Sequence, residues 1–252
     1  EPAAPMSAVF RMPLDGSAPS ALKTAGVPID QMSFLEDRGH LNVLLRESGR
    51  GEGMWGSERT QGRMALLRVP LAAFGDGRQS AEREHYQSLP APAGGAVQNR
   101  FVGDWLLWGG AASGDRAGRQ AGAYALRYAA RTEPQWLEPG HAVERIEAMG
   151  AHAVLVGNGS GYGSGSDRGD LHFTSVRLGR GRAELAGRHV QPGAAQGETR
   201  THGFFFRPTG DEEGLLGLPV LEAGQRSGGV YGGAQGSASV LYLRQRELAF
   251  RA

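Results

Sequence analysis

The seven histidines of this chain, His40, His85, His141, His152, His172, His189 and His202, are the first residues to test for chemistry. No HExxH or other short-range zinc spacing is present among them. His202 stands beside Phe204, Phe205 and Phe206, where a buried imidazole bonded to a neighbouring element is expected rather than a catalyst. Ser160 and Ser164 lie between glycines in GNGSGYGSGSDRGD, residues 157–170. A nucleophile elbow, like a phosphate-cradling loop, needs a helix to follow it, but the next residues, DLHFTSVRL, alternate as a strand. Calcium needs several oxygen ligands at close spacing, and in this loop only Asp167 and Asp170, with Asn158 and carbonyls, are candidates. The loop is expected to be a hairpin tip, and Arg168-Gly169-Asp170 a chance match to an adhesion tripeptide. Glu212 and Glu213 fall in a turn, as does Asp104, where solvation explains them. No serine–histidine–aspartate or two-carboxylate set is recognisable. With no cysteine in 252 residues, thiol catalysis, disulfides and cysteine–zinc sites are excluded.

Arginine carries nearly all the positive charge, Lys23 being the one lysine, and the formal net charge is +1. Such a balance provides no general field for nucleic acid or acidic lipid. The densest basic run, RLGRGRAELAGRHV at 177–190, reads as a solvated strand–turn–strand edge. No run approaches the roughly 18 apolar residues of a membrane helix, so no membrane insertion is expected. The chain opens at Glu1 rather than methionine, as a processed or excised piece would.

The elements that must position these residues are strands. Only GDGRQSAEREHYQSL, 75–89, offers a helical candidate, and it reads as a loop or a single turn. Elsewhere, runs of four to eight β-branched, aromatic and leucine residues alternate with turn clusters. A weak repeat organises them: SFLEDRGHLNVLLR (33–46), RFVGDWLLWG (100–109), RIEAMGAHAVLVG (145–157) and HGFFFRPTGDEEGLLGLPV (202–220). Each is a strand, a polar or glycine turn, then a more apolar strand. Ser33, Arg100, Arg145 and His202 take equivalent places, 67, 45 and 57 residues apart. Those spacings are near the roughly 40 to 50 residues of a propeller blade, with insertions. The Phe204–Phe206 run leaves no face for water, which predicts a strand buried on both sides.

The segments 26–47, 96–109 and above all LHFTSVRLGRGRAELAGRHVQPGAAQGETRTHGFFFRPTGDEEGLLGLPV, 171–220, resemble the secreted bacterial and archaeal β-propeller domain family, distant relatives of WD-repeat propellers. The match is close at 202–206 and 215–220. The glycine insertion at 157–170 and a missing Asp-Pro turn depart from the family pattern. The resemblance implies an all-β propeller of four-stranded antiparallel blades, about five in this chain: a partial blade at 7–25, then 31–89, 97–138, 141–190 and 199–251. Either these close as a ring or another chain completes them, and a fragment needing its complement is the expectation taken.

In a propeller the first strand of each blade lines a central channel. Gln31, Ser33, Asn99, Arg100, Glu144, Arg145, Arg200 and His202 fall on those strands and are the candidate ligand-binding residues. Arg100, Arg145 and Arg200 would hold an anion or a carboxylate-bearing peptide. The plainer alternative pairs them with Glu144, Glu147 and Glu198 in a wet channel. Trp105, Trp108 and Trp136 read as packing between blades, whereas Trp55, in GEGMWGSER, is the candidate for partner contact. The function expected is a non-catalytic, secreted or periplasmic envelope scaffold that binds a protein or a complementary propeller chain, with no cofactor. The alternatives are a hydrolase or lyase working in the channel, and a carbohydrate-binding propeller, which a tryptophan exposed over a polar loop would favour.

Overall fold

A computed structural model describes residues 7–50, 59–92, 96–110, 121–159, 169–210, 212–222 and 237–251. Among them there is no α-helix, only strands and four 3-10 turns. The chain divides into two compact units, one of residues 1–91, 95–97 and 126–134, the other of residues 92–94, 98–125 and 135–252.

The first unit carries β1 (Ser7–Arg11), β2 (Ser20–Thr24), β3 (Val27–Pro28), β4 (Phe34–Asp37), β5 (His40–Arg50), β6 (Arg59–Pro70), β7 (Asp76–Ser80) and β8 (Tyr86–Leu89). β5 pairs with both β3 and β4, and the sheet continues through β6 to β8, all antiparallel. β4 and β5 join through Arg38-Gly39, both at positive φ, 48° and 72°. That is the geometry of a type I′ hairpin, whose twist matches the strands it joins. Leu22, Val43, Leu45, Leu67 and Val69 form the core of the unit. The segment 75–89 is a polar strand, a 3-10 turn at Arg83–His85 and β8, rather than a loop. β7 pairs in parallel with β2, and Gly75 and Ala81 extend that pairing through backbone bonds alone. A contact made only by backbone leaves no apolar signature, which is why periodicity misses it.

The second unit holds three sheets. Its strands are β9 (Gln98–Val102), β10 (Trp105–Gly110), β11 (Gly122–Arg127), β12 (Gln135–Leu137), β13 (Arg145–Met149), β14 (His152–Asn158), β15 (Leu171–Leu178), β16 (Ala183–Gln191), β17 (Ala194–Gln196), β18 (Phe205–Gly210), β19 (Glu213–Glu222), β20 (Ser237–Arg246) and β21 (Ala249–Arg251). β9 to β12 form one four-stranded sheet in sequence order and β13 to β16 a second; in the third, β17 and β18 both pair with β19, followed by β20 and β21. Two-residue turns join β9 to β10 and β13 to β14, and their first positions are Gly103 and Gly150, at φ 55° and 62°.

The β13–β16 sheet is the middle layer. One of its faces packs Ile146, Leu155 and Val176 against Trp105, Leu107 and Ala123. The other packs Val154, Val156 and Phe173 against Leu216, Leu218 and Leu243. Successive residues of a strand point to opposite faces, so Ala153–Gly157 is buried throughout. Each leucine taken fully out of water there contributes about 1.5–3 kcal/mol. β16 also passes so close beneath the β20–β21 turn that a Cβ on Gly187 would lie 2.1 Å from the Leu248 carbonyl oxygen.

The strand buried on both sides is therefore β14, not the phenylalanine strand. Phe206 and Phe204 pack on the second cluster, while Phe205 points outward at 43% exposure. Its ring covers Gly217 and meets Tyr242 edge-on, with centroids 5.8 Å apart.

Candidate functional site

Three segments of the second unit bring most of the candidate residues together. β9 supplies Arg100, the entry to β13 supplies Glu144, Arg145 and Glu147, and the stretch from β17 to β18 supplies Gln196, Glu198, Arg200 and His202. Arg145 is 2% exposed and places its donors in four hydrogen bonds. Its Nε donates to Gln196 Oε1 at 2.7 Å and its Nη1 to Glu147 Oε1 at 2.9 Å. Its Nη2 donates to the carbonyls of Glu198 and Arg200 at 2.6 and 3.1 Å. The second Glu147 oxygen takes the Arg100 guanidinium, whose Nε also donates to the Ile146 carbonyl at 3.4 Å. One buried carboxylate thus bridges two arginines, and buried charges persist only when matched in this way.

The outer half of the network is a fork. Arg200 donates Nε and Nη2 to the two Glu198 oxygens at 2.9 and 2.7 Å, and its backbone N–H adds a third bond. His202 Nε2 lies 3.6 Å from the same carboxylate. Gln196 links the halves, accepting from Arg145 and donating to Glu144 Oε2 at 3.2 Å. The bonds from Arg200 hold the Glu198 carboxyl down at about 2. Burial, then the neighbouring Arg100, lower Arg145 to about 10, against the pull of Glu198. Both groups therefore stay charged through the neutral range.

The other candidates are placed differently. Asn99 is buried on β9 opposite Trp108. Gln31 and Ser33 belong to the first unit and sit in a 3-10 turn rather than on a strand. Asp30 caps that turn: Ser33 Oγ accepts from its backbone N–H at 3.1 Å, and its carboxylate accepts from the Met32 N–H at 2.8 Å. Arg200 and His202 likewise occupy a 3-10 turn, Thr201–Gly203 with Arg200 as its cap, ahead of β18. At Asp30 the capping side chain stabilises the turn locally and overrides an extended reading, whereas Arg200 makes no side-chain cap bond and gives its guanidinium and backbone N–H to Glu198. Asp170 holds the start of the third sheet, its carboxylate accepting from the Gly193 N–H at 2.8 Å. Trp55, Asp167, Arg168, Ser160 and Ser164 lie outside the described residues. Among the described residues, no group of three or more histidines and carboxylates could hold a metal ion.

Two features had no sequence signal. His141 is 1% exposed; its Nδ1 donates to the Ala142 carbonyl at 2.7 Å, so its Nε2 accepts from the Thr174 hydroxyl at 2.9 Å. Burial pushes this imidazole down to about 4. The second is the outward face of the third sheet. Cross-strand registers place Arg207, Leu215, Arg244 and Arg251 in one row. The neighbouring rows hold Phe205, Gly217 and Tyr242, then Pro219 and Val240. Val240 and Tyr242 are 47% and 53% exposed. Alternation on β20 marks every second residue, but only the fold tells which set meets a core.

No family model matches the chain, and no curated protein or solved structure matches it.

Proposed function

We propose that this chain is a β-propeller scaffold of about five four-stranded blades, of the secreted bacterial and archaeal type, and that it works by binding another protein. The observation that carries the reading is the matched network at Arg145. Its three arginines, Arg100, Arg145 and Arg200, meet three carboxylates, Glu144, Glu147 and Glu198, and the best-placed donors are spent on backbone carbonyls. Such a cluster binds strand to strand. It offers neither a spare cation for an anion nor, in Glu198 at about 2 and Arg145 at about 10, a proton near neutrality.

The four sequence-order hairpins and the middle sheet buried on both faces support blades stacked side by side. The outward face of the third sheet supplies the surface: exposed apolar rows beside an arginine row, a composition that suits an interaction site. The partner it fits carries apolar residues with carboxylates alongside. Release to the cell envelope or outside is part of this reading.

Two experiments test it. A compact chain of this length scatters with a radius of gyration of about 18 Å; a clearly larger value for the isolated chain rules out closure within 252 residues. Crosslinking and mass spectrometry of the tagged chain in its own cell-envelope extract is the second. One protein recovered in near-stoichiometric amount, and lost when Phe205, Val240 and Tyr242 become serine, is the expected result. Turnover of an ester or glycoside that disappears in Glu144→Gln would instead favour the enzyme reading.

A further inference from the structure

Trp108, Tyr124 and Trp136 form a ladder across β10, β11 and β12. Trp108 and Tyr124 stack with centroids 5.3 Å apart and planes at 23°, and Tyr124 meets Trp136 at 4.8 Å and 58°. Trp108 is fully buried, but Trp136 is 39% exposed. A Cβ on Gly122 would come within 2.5 Å of the Trp136 ring, so this glycine leaves the bed on which the indole lies. One side of the ring is thus fixed by Gly122 and Tyr124. What remains exposed borders a groove of about 720 Å³ between β12 and the β15–β16 hairpin.

The walls of that groove are polar. Glu138, Arg182 and Glu184 line it, with Leu185 beside them. Arg182 and Glu184 pair at 3.3 Å with side chains 77% and 51% exposed, a geometry in which the pair is worth little and is readily shared with a ligand. Gln135 fixes the floor: its Nε2 donates to the Gly181 carbonyl at 3.3 Å and its Oε1 accepts from the Ala183 N–H at 2.9 Å. The Trp105 indole N–H ties the same hairpin by donating to the Gly179 carbonyl at 3.1 Å. The site is therefore held in shape before anything binds.

We propose that this groove binds a neutral or amino sugar chain, with Trp136 as the stacking platform. A pyranose offers a C–H face to an indole and hydroxyls around its rim, and aromatic side chains with one wet face suit such ligands. The Glu138 and Glu184 carboxylates accept hydrogen bonds from hydroxyls, and the Arg182 guanidinium donates to ring or hydroxyl oxygens. Two carboxylates and one guanidinium sum to a negative wall, which turns away uronates and sulfated sugars. The volume falls within the roughly 300–1,000 Å³ of small-ligand sites. This site is separate from the outward face of the third sheet, and the protein-binding reading stands or falls without it.

The test is titration calorimetry with cellotriose, chitotriose, chitosan trimer and trigalacturonate, alongside a glycan array of neutral and amino sugars. Saturable binding of at least one neutral or amino sugar is expected, weakened tenfold or more by Trp136→Ala and several-fold by Glu138→Gln. Glu138→Arg with Glu184→Lys should shift preference toward trigalacturonate, and needs no change at the ladder should Trp136→Ala fail to fold. In the unaltered chain, the Trp136 indole N–H resonance should move on titration. No saturable binding up to millimolar sugar, binding indifferent to both sets of variants, or preference of the unaltered chain for trigalacturonate would each overturn the proposal.

Discussion

The β13–β16 sheet and the β17–β21 sheet are built alike and end up in opposite situations. Each contains a hairpin, β13–β14 or β18–β19, that continues as an antiparallel meander, and the third sheet adds β17 beside β19. On β14 the alternating residues Ala153, Leu155 and Val154, Val156 serve two cores at once. On β20 one set, Leu241 and Leu243, faces a core, while Val240 and Tyr242 face outward. Strand propensity is satisfied equally by both. The difference lies in whether a second layer arrives, and it sets which substitutions the molecule tolerates.

The largest effect should come from the network at the edge of the middle sheet. Glu147→Ala leaves Arg100 and Arg145 without the carboxylate between them, and uncompensated buried charge costs about 3–5 kcal/mol. Denaturant unfolding measures it; a loss below 1 kcal/mol would mean that water reaches the pair. Leu155→Ala, in the doubly packed strand, should cost about 2–5 kcal/mol, read from the same curves. If it behaves like a surface change, the middle layer is not packed as described.

Acid should weaken the middle sheet as well. His141 is held at about 4 against its usual 6.5, so below pH 6.5 the unfolded chain takes up a proton that the folded chain refuses. Stability is full above 6.5 and falls as the pH drops toward 4, by up to about 3 kcal/mol. Unfolding curves across that window should flatten in His141→Gln. The smallest effect belongs to the outer sheet: Tyr242→Ser in the isolated chain should cost no more than about 1.5 kcal/mol, the worth of its edge-on contact with Phe205. A larger loss would show that this face is already covered in solution.

What could be read in advance follows the same division. The all-strand content and the hairpins at 33–46, 100–109, 145–157 and 202–220 show in alternation and turn residues, because local chemistry determines them. β7 and β17 do not, since DGRQS and AAQ pair through backbone and carry no apolar period. Gln31, Ser33 and His202 look like strand residues until Asp30 and Arg200 are seen as caps of 3-10 turns. Glu147 and Glu198 could be named as partners of the arginines from proximity in the repeat. Gln196, which joins them, could not, because its segment reaches β13 only once the third sheet has packed. Trp136 reads as one more packing residue, and only the groove beside it suggests another use.

The arginine row on the third sheet has a consequence for how these molecules treat one another. Arg207, Arg244 and Arg251 cross three strands of that face between its apolar rows and the Glu213–Arg246 pair, and among the described residues none of the three is in an ion pair. Two copies meeting through that face would bring these six guanidinium groups together, with the neighbouring Glu213 carboxylates already paired to Arg246 at 3.0 Å. Like charges facing each other across such a contact repel, so the row opposes self-association through this face. Because its range is the Debye length, about 10 Å at 0.1 M salt and 3 Å at 1 M, crowding and brine should erode that repulsion, and the chain should grow more sociable with its own kind as salt rises.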